Sequence, residues 1–228
     1  MESYSLSDEQ LNIIETITKN KKNTLIIGKA GVGKSVTLRA IKKYFDDDAK
    51  TGFILAPTGV AAINVEGMTI HKFMGSLWQI KRQFTRDFCP DYIIIDEVSM
   101  VRADLLDDLD QRLRSEFGNM FEPFAGIQII LIGDPGQLPP VLIPDSAEAV
   151  YINENYKTPY FFSSAAYAKI VWEIKQLTKV FRQKEDEKAY VKLLNLVRNG
   201  ERDKVIKALN TICITDKPKG IILCARIS

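Results

Sequence analysis

Four short apolar runs set the rhythm of this chain: Thr24–Ile27, Gly52–Ala56, Tyr92–Ile95 and Ile127–Ile132. Each is rich in Ile, Leu or Phe, lacks regular polar alternation, and stops at a Gly, Pro or Asp. A strand with one wet face alternates apolar and polar residues. Runs like these are buried on both faces, as in a parallel sheet covered by helices. Helical spacing lies between them, over Ser35–Phe45 and Arg102–Phe117. Ahead of the first run, Ser7-Asp8-Glu9-Gln10 has the form of a capping box, with Ser7 as N-cap and Gln10 reaching back. It predicts a helix that buries Leu11, Ile13, Ile14 and Ile17. The alternation of strand and helix predicts an α/β fold with a doubly wound, mostly parallel sheet. In that architecture chemistry gathers at the carboxyl ends of the strands.

After residue 140 the pattern loosens. Tyr160-Phe161-Phe162 and Ile174–Leu177 are predicted as further strands. Lys184–Arg198 reads as a helix with Tyr190, Leu193, Leu194 and Val197 on one face and Asn199-Gly200 as its stop. A helix near Asp203–Leu209 and a strand at Ile221–Cys224 complete the reading, with no repeats and no low-complexity segment. A length of 228 residues suits one core plus an extension.

Composition changes this picture little. A net charge of +2 is too mild to argue for nucleic acid unless the basic residues cluster. Cys89, Cys213 and Cys224 are an odd, scattered trio that reads as reduced thiols, and a single histidine, His71, argues against a His/Cys zinc site. The first ten residues have neither a basic stretch nor an apolar one, and no apolar run reaches membrane-spanning length. A soluble, intracellular protein without membrane contact is expected.

The specific chemistry begins at Gly28-Lys29-Ala30-Gly31-Val32-Gly33-Lys34-Ser35, a complete G-x-x-x-x-G-K-[ST] phosphate-binding loop. Its glycines let successive backbone N–H groups curl around a phosphate, and the following helix adds a partial positive charge. Lys34 supplies a cation for the β- and γ-phosphates of ATP, and the Ser35 hydroxyl is a ligand for Mg²⁺. The loop sits between an apolar run and a helical pattern, the context such a motif needs. Asp96-Glu97 follows the third apolar run, where Asp96 is placed to hold Mg²⁺ through water and Glu97 to polarise the attacking water. A strand running into a solvated turn gives the same two carboxylates. Gly133-Asp134-Pro135-Gly136-Gln137 ends the fourth run and puts Gln137 where an amide can sense the γ-phosphate. A plain tight turn has the same composition.

With these motifs stand Ala56-Pro57-Thr58-Gly59-Val60-Ala61-Ala62, Thr69-Ile70-His71-Lys72-Phe73 and Asp96-Glu97-Val98-Ser99-Met100. Together they resemble superfamily-one helicases. Phe124-Ala125-Gly126-Ile127-Gln128, Gly133-Asp134-Pro135-Gly136-Gln137-Leu138-Pro139-Pro140-Val141 and Phe181-Arg182-Gln183 narrow the resemblance to the Pif-one (petite integration frequency) branch, relatives of RecD and Dda. It runs from about Leu6 to the last residue, with motifs in family order. Pro135 stands where the family often has a bulky residue, and Ala125 where it usually has glycine.

The resemblance implies a RecA-like ATP-binding helicase domain over residues 1–178 and the start of a second RecA-like domain over 179–228. The activity implied is 5′-to-3′ movement on DNA driven by ATP hydrolysis, in repair, recombination or telomere maintenance. By position, Gln10 would read adenine, although its capping role competes. Lys34, Glu97 and Gln137 would serve catalysis. Arg182 would stabilise charge at the γ-phosphate, or pair instead with Glu185 or Asp186. Thr58, His71 and Phe73 would hold single-stranded DNA, unless His71 is a polar loop residue and Phe73 a core anchor. Lys81-Arg82-Gln83-Phe84-Thr85-Arg86 reads as a solvated face. The partners implied are single-stranded DNA and the missing second RecA-like domain, with a monomer the expected state. A chain limited to the first domain would bind ATP and single-stranded DNA without unwinding. A P-loop ATPase that remodels protein is a further class, separated by whether single-stranded DNA stimulates hydrolysis.

Overall fold

The computed structural model describes residues 6–83 and 88–179, with isolated positions 196, 200, 204 and 206 beyond them. The chain divides into two units, Met1–Phe181 and Arg182–Ser228, and every element below lies in the first. Apart from those isolated positions, the helices and strand expected after residue 180 lie outside the described residues, as do residues 84–86 of the basic stretch.

Among the described residues six strands form one sheet: β1 Thr24–Gly28, β2 Gly52–Ala56, β3 Met68–Thr69, β4 Tyr92–Ile95, β5 Gln128–Gly133 and β6 Glu173–Leu177. Their order is β3-β2-β4-β5-β1-β6, and every pair is parallel. The helices are α1 Asp8–Thr18, α2 Lys34–Asp47, α3 Gly59–Asn64, α4 Ile70–Gln83, α5 Ala103–Phe117, α6 Ala147–Asn155 and α7 Ala165–Ala168.

The apolar runs are explained by two cores, one on each face of the sheet. Leu25, Leu55, Ile93, Ile95, Ile129 and Leu131 pack with Ile70, Phe73 and Leu77 of α4 and Leu106, Leu109 and Leu113 of α5. The alternate residues Ile26, Ile54, Ile94, Ile130 and Ile132 pack with Ile13, Ile14 and Ile17 of α1 and Leu38, Ile41 and Phe45 of α2. Successive side chains along a strand alternate in direction and not in polarity, because both sides are dry. Each fully buried Ile or Leu contributes about 1.5–3 kcal/mol, so a polar substitution on either face would be costly.

Three expectations need correction. On α1 the buried stripe is Gln10, Ile13, Ile14 and Ile17, while Leu11 is 44% exposed. Gln10 completes the i, i+3, i+4, i+7 stripe because its amide is fully hydrogen-bonded, which displaces Leu11 to the flank. Tyr160-Phe161-Phe162 is no strand. Phe161–Ser163 is a 3-10 turn, and Tyr160 makes an isolated antiparallel bridge to Arg102. The buried Phe161 ring sits edge-on to Phe162 and Tyr167, so this aromatic run caps a core where it was expected to extend the sheet. Finally, β5 begins at Gln128, one residue later than expected, because Ile127 still belongs to the preceding turn. In that turn Ala125 has a φ of 57°. It is the position where the resembled family usually carries glycine, the residue to which left-handed backbone costs least.

Candidate functional site

A parallel sheet ends all its strands on one edge, so Gly28, Ala56, Ile95, Gly133 and Leu177 deliver their following loops to the same side. Strands β1 and β4 flank β5. At about 4.8 Å per strand, their loops start about 10 Å apart across the end of β5. That spacing suits a phosphate chain gripped at one end and attacked at the other.

The phosphate loop takes the shape its glycines permit. Gly31 and Gly33 have φ of 82° and 85°, the left-handed region in which a side chain is strained. Val32 is 1% exposed and pins the loop to the core. A Cβ on Gly28 would lie 2.6 Å from Val32 Cγ2, so glycine is also needed for close approach. Gly33 caps α2 without any side-chain bond, and Lys29, Ala30 and Ser35 are exposed around the mouth. Lys34 Nζ donates to the carbonyls of Gly28 (2.8 Å) and Lys29 (3.2 Å), which lays the cation across the loop.

Gln10 lies behind this loop. Its Oε1 accepts from the Ser7 amide at 3.0 Å, and its Nε2 donates to Thr37 Oγ1 at 3.1 Å and Gly33 O at 3.4 Å. The capping box is present as read. The same side chain, 2% exposed, fastens α1 to the start of α2. Thr37 was not singled out from sequence. It is fully buried and donates to Gly33 O at 3.0 Å, and a threonine four residues after a loop glycine was its only signal.

Asp96 and Glu97 stand at the end of β4. The Asp96 amide donates to Leu55 O at 2.9 Å, extending the ladder one step past the strand. Burial pushes the Asp96 carboxyl above the usual range and the Glu97 carboxylate adds to this, while the Glu97 N–H and the Lys34 ammonium pull the other way. A carboxylate in that condition gains from a cation placed beside it. Glu97 has φ 50° and ψ 41°, left-handed backbone in a non-glycine residue. It opens the 3-10 turn Val98–Met100. Gly133 lies under that turn, and a Cβ there would sit 3.0 Å from Val98 Cγ1 and 3.1 Å from Val98 N. The glycine therefore lets the β4 turn close over the end of β5.

Beyond Gly133, Asp134 is 1% exposed. It accepts from the Gly136 amide at 3.1 Å and from Gln137 Nε2 at 3.4 Å, and its carbonyl accepts from the Gln137 amide at 2.9 Å. Gln137 is thus a solvent-facing amide held on a buried carboxylate. These bonds are those of the tight-turn reading.

The segments expected at DNA divide. Thr58 is the N-cap of α3 and accepts from the Ala61 amide at 3.2 Å, which leaves its hydroxyl hydrogen available. His71 is exposed at the start of α4. Phe73 corrects the expectation: it is fully buried, in ring contact with Phe53 at 4.9 Å. It belongs to the stripe Ile70, Phe73, Leu77, Ile80 that anchors α4, and a ring so placed offers no face to a base. Arg182 lies outside the described residues. Among the described residues no helix is long and apolar enough to cross a membrane.

A glycine-shaped loop at a helix start, with two carboxylates and a held amide at neighbouring strand ends, defines a P-loop nucleoside-triphosphatase domain of RecA-like build. The comparisons are more specific. The PIF1-like helicase family matches residues 5–207. The ATP-dependent DNA helicase RRM3 of Saccharomyces cerevisiae is 34% identical over 90% of this chain and 30% of its own length. The ATP-dependent DNA helicase PIF1 of Homo sapiens is 33% identical over 90% of this chain and 31% of its own. Bacteroides Pif1 bound to single-stranded DNA superimposes with a TM-score of 0.74 at 31% identity, covering 92% of this chain and 50% of that one. Bacteroides Pif1 with ADP-AlF3 and single-stranded DNA gives 0.71 at 33% identity, over 86% and 47%. The chain belongs to the PIF1-like helicase family. It spans about a third of the length of these curated relatives and about half of the solved chains.

Proposed function

We propose that this chain is the nucleotide-binding half of an ATP-dependent DNA helicase that moves 5′ to 3′ on single-stranded DNA. The observation that carries the reading is the pairing of a fully formed phosphate loop with Asp96-Glu97 across the end of β5. A phosphate loop alone fits many NTPases; the half-buried Thr58 and the exposed His71, on the same edge, favour a nucleic-acid track.

The residues present fit ATP with Mg²⁺. Loop amides and the α2 N-terminus suit phosphate oxygens, and Lys34 is already poised over the loop. Ser35 and Asp96 would hold Mg²⁺, an ion usually bound by one or two carboxylates together with substrate phosphates. When bound, it neutralises charge on the β- and γ-phosphates. Glu97 takes the proton of the attacking water, Gln137 reports the γ-phosphate through Asp134, and Gln10 braces the loop from behind. Arg182 would add a cation. This reading extends to an intracellular setting and to work in repair, recombination or telomere maintenance.

Steady-state phosphate release measured with and without single-stranded DNA tests the reading. Hydrolysis that rises with DNA supports it. ATP turnover indifferent to DNA would refute the coupling of hydrolysis to DNA in this chain, and where turnover does rise a strand-displacement assay on a 5′-tailed duplex asks whether unwinding accompanies it.

A further inference from the structure

One turn of α1 touches two places that matter, and only one of them is the phosphate loop. Gln10 reaches forward to Gly33 O and Thr37 Oγ1. Its neighbour Glu9 reaches the opposite way, to the chain leaving β6. The Glu9 carboxylate accepts from the Thr178 amide at 3.0 Å, from the Lys179 amide at 3.3 Å and from the Thr178 hydroxyl. These residues follow the last strand and come just before the end of the first unit at Phe181.

The exit is also gripped from the loop side. Gly28, the first residue of the phosphate loop, is the register partner of Leu177. A Cβ on Gly28 would meet Leu177 Cβ at 3.2 Å and Leu177 O at 3.3 Å, so loop and exit are in backbone contact. The Gly28 carbonyl is the acceptor for Lys34 Nζ. Anything that recruits the Lys34 ammonium and the loop amides therefore acts on Gly28 and Gly33 together. Those two residues flank the exit, Gly28 directly and Gly33 through Gln10 and Glu9.

We propose that Glu9 is a positioning residue, a latch that fixes residues 178–179 to α1 so that nucleotide occupancy of the phosphate loop and the path of the chain leaving β6 are coupled. The proposal rests on the reading of that loop as an ATP site. It assigns to Glu9 a role distinct from the capping role of Ser7 and Gln10, because its oxygens face the exit and not the helix start. The three donors also hold the Glu9 carboxyl below the usual range, Thr178 hydroxyl first, then the Thr178 and Lys179 amides. The carboxylate is thus in the charged form that accepts most strongly. Coupling of this kind is reciprocal: what nucleotide does to the latch, the latch does to nucleotide affinity.

The test is amide hydrogen exchange on the intact chain, followed at Thr178 and Lys179, with and without ADP and a non-hydrolysable ATP analogue. In the absence of nucleotide, Glu9→Gln should speed exchange at both amides by about fivefold, the loss expected for a charge-assisted bond in partial solvent. In the wild type, nucleotide should change exchange at these amides. In Glu9→Gln that response should vanish while a fluorescent ATP analogue still binds, with its affinity shifted by the factor lost from the exchange response. Thr178→Val keeps the backbone and the β-branch but removes the hydroxyl donor, and should show the same loss without touching α1. Unchanged exchange in both variants overturns the latch. A nucleotide response that survives in both overturns the coupling. If wild-type protein binds no nucleotide, the ATP-site reading falls and the coupling with it, whereas binding without any exchange response removes the coupling alone.

Discussion

Glu97 is held in left-handed backbone, φ 50° and ψ 41°, at the end of β4. An L-residue there costs about 1–2 kcal/mol relative to ordinary helical backbone, a cost glycine escapes. Replacing Glu97 by glycine also frees the unfolded chain, which returns about 0.5–1 kcal/mol in the other direction. Taken at mid-range, the balance favours the variant by about 0.75 kcal/mol. For 150–250 residues that corresponds to a rise in Tm of about 1–4 °C. Removing a carboxylate that presses on buried Asp96 acts in the same sense. Hydrolysis should meanwhile fall by about 10²–10⁴-fold, the contribution of a positioned base. Glu97→Gln is the control, since glutamine keeps the strained φ and loses the base. Its hydrolysis should fall equally, with a Tm shift smaller than that of Glu97→Gly. Thermal unfolding without nucleotide and steady-state phosphate release measure the two effects. If Glu97→Gly melts at or below the wild type, the backbone stores no strain. If Glu97→Gln gains as much Tm as Glu97→Gly, charge and not backbone is the source.

Lys34→Ala removes the cation lying over the loop, so an ATP analogue should bind at least about tenfold more weakly with Tm nearly unchanged, a loss typical of charge-assisted contacts; equal affinity would refute the assignment. Phe73→Ala should cost about 3–5 kcal/mol in urea unfolding as a core cavity, whereas exposed His71→Ala should stay within about 0.5 kcal/mol of wild type and weaken single-stranded DNA in fluorescence anisotropy. Glu9 has a folded pKa below its unfolded value, so its stabilisation is fully present above the unfolded value of about 4.3 and is lost as pH falls through the depressed folded value. The stability difference between wild type and Glu9→Gln should therefore be complete at pH 7 and shrink below pH 4, and a difference independent of pH would show that the carboxylate charge is not its source.

What the sequence made legible follows from how each signal arises. β1, β2, β4 and β5 were readable because burial on both faces leaves no polar residue to break the run. β3 was not readable: two residues, Met68 and Thr69, carry no period. The helix α4 is hard to read because its stripe of Ile70, Phe73, Leu77 and Ile80 overlaps the Thr69–Phe73 motif, whose residue types also suit a DNA contact. In the phosphate loop the residues that must be glycine are the ones with positive φ or no room for a Cβ, so motif and geometry coincide. Asp134 and Glu9 were visible as residues and silent as partners. Their acceptors serve groups brought near by the fold, at the turn to Gln137 and across 169 positions to Thr178.

Left-handed backbone outside glycine occurs at several turns of this domain, Ala49, Glu66, Phe124 and Ala125 among them, and at the turn after β4 it is joined by other costs. Within four residues, Asp96 is a buried carboxylate pushed toward its neutral form, Glu97 is in left-handed backbone, and Ser99 is fully buried with no hydrogen-bond partner for its Oγ among the described residues. Each lowers stability, and such costs persist only where the surrounding structure enforces them. Here Gly133 gives the turn room, the Asp96 amide is fixed to Leu55, and β4 is locked between β2 and β5. The phosphate loop shows the reverse condition: glycine stands at its left-handed positions Gly31 and Gly33, and Val32 is well packed. A site that binds needs a relaxed cradle, since strain there would be lost from affinity. A site that must aim a base and hold a charged group in a dry place gains from positions the backbone would otherwise refuse. On the proposed function, the relaxed loop after β1 would hold ATP and the strained turn after β4 would aim the base that breaks it.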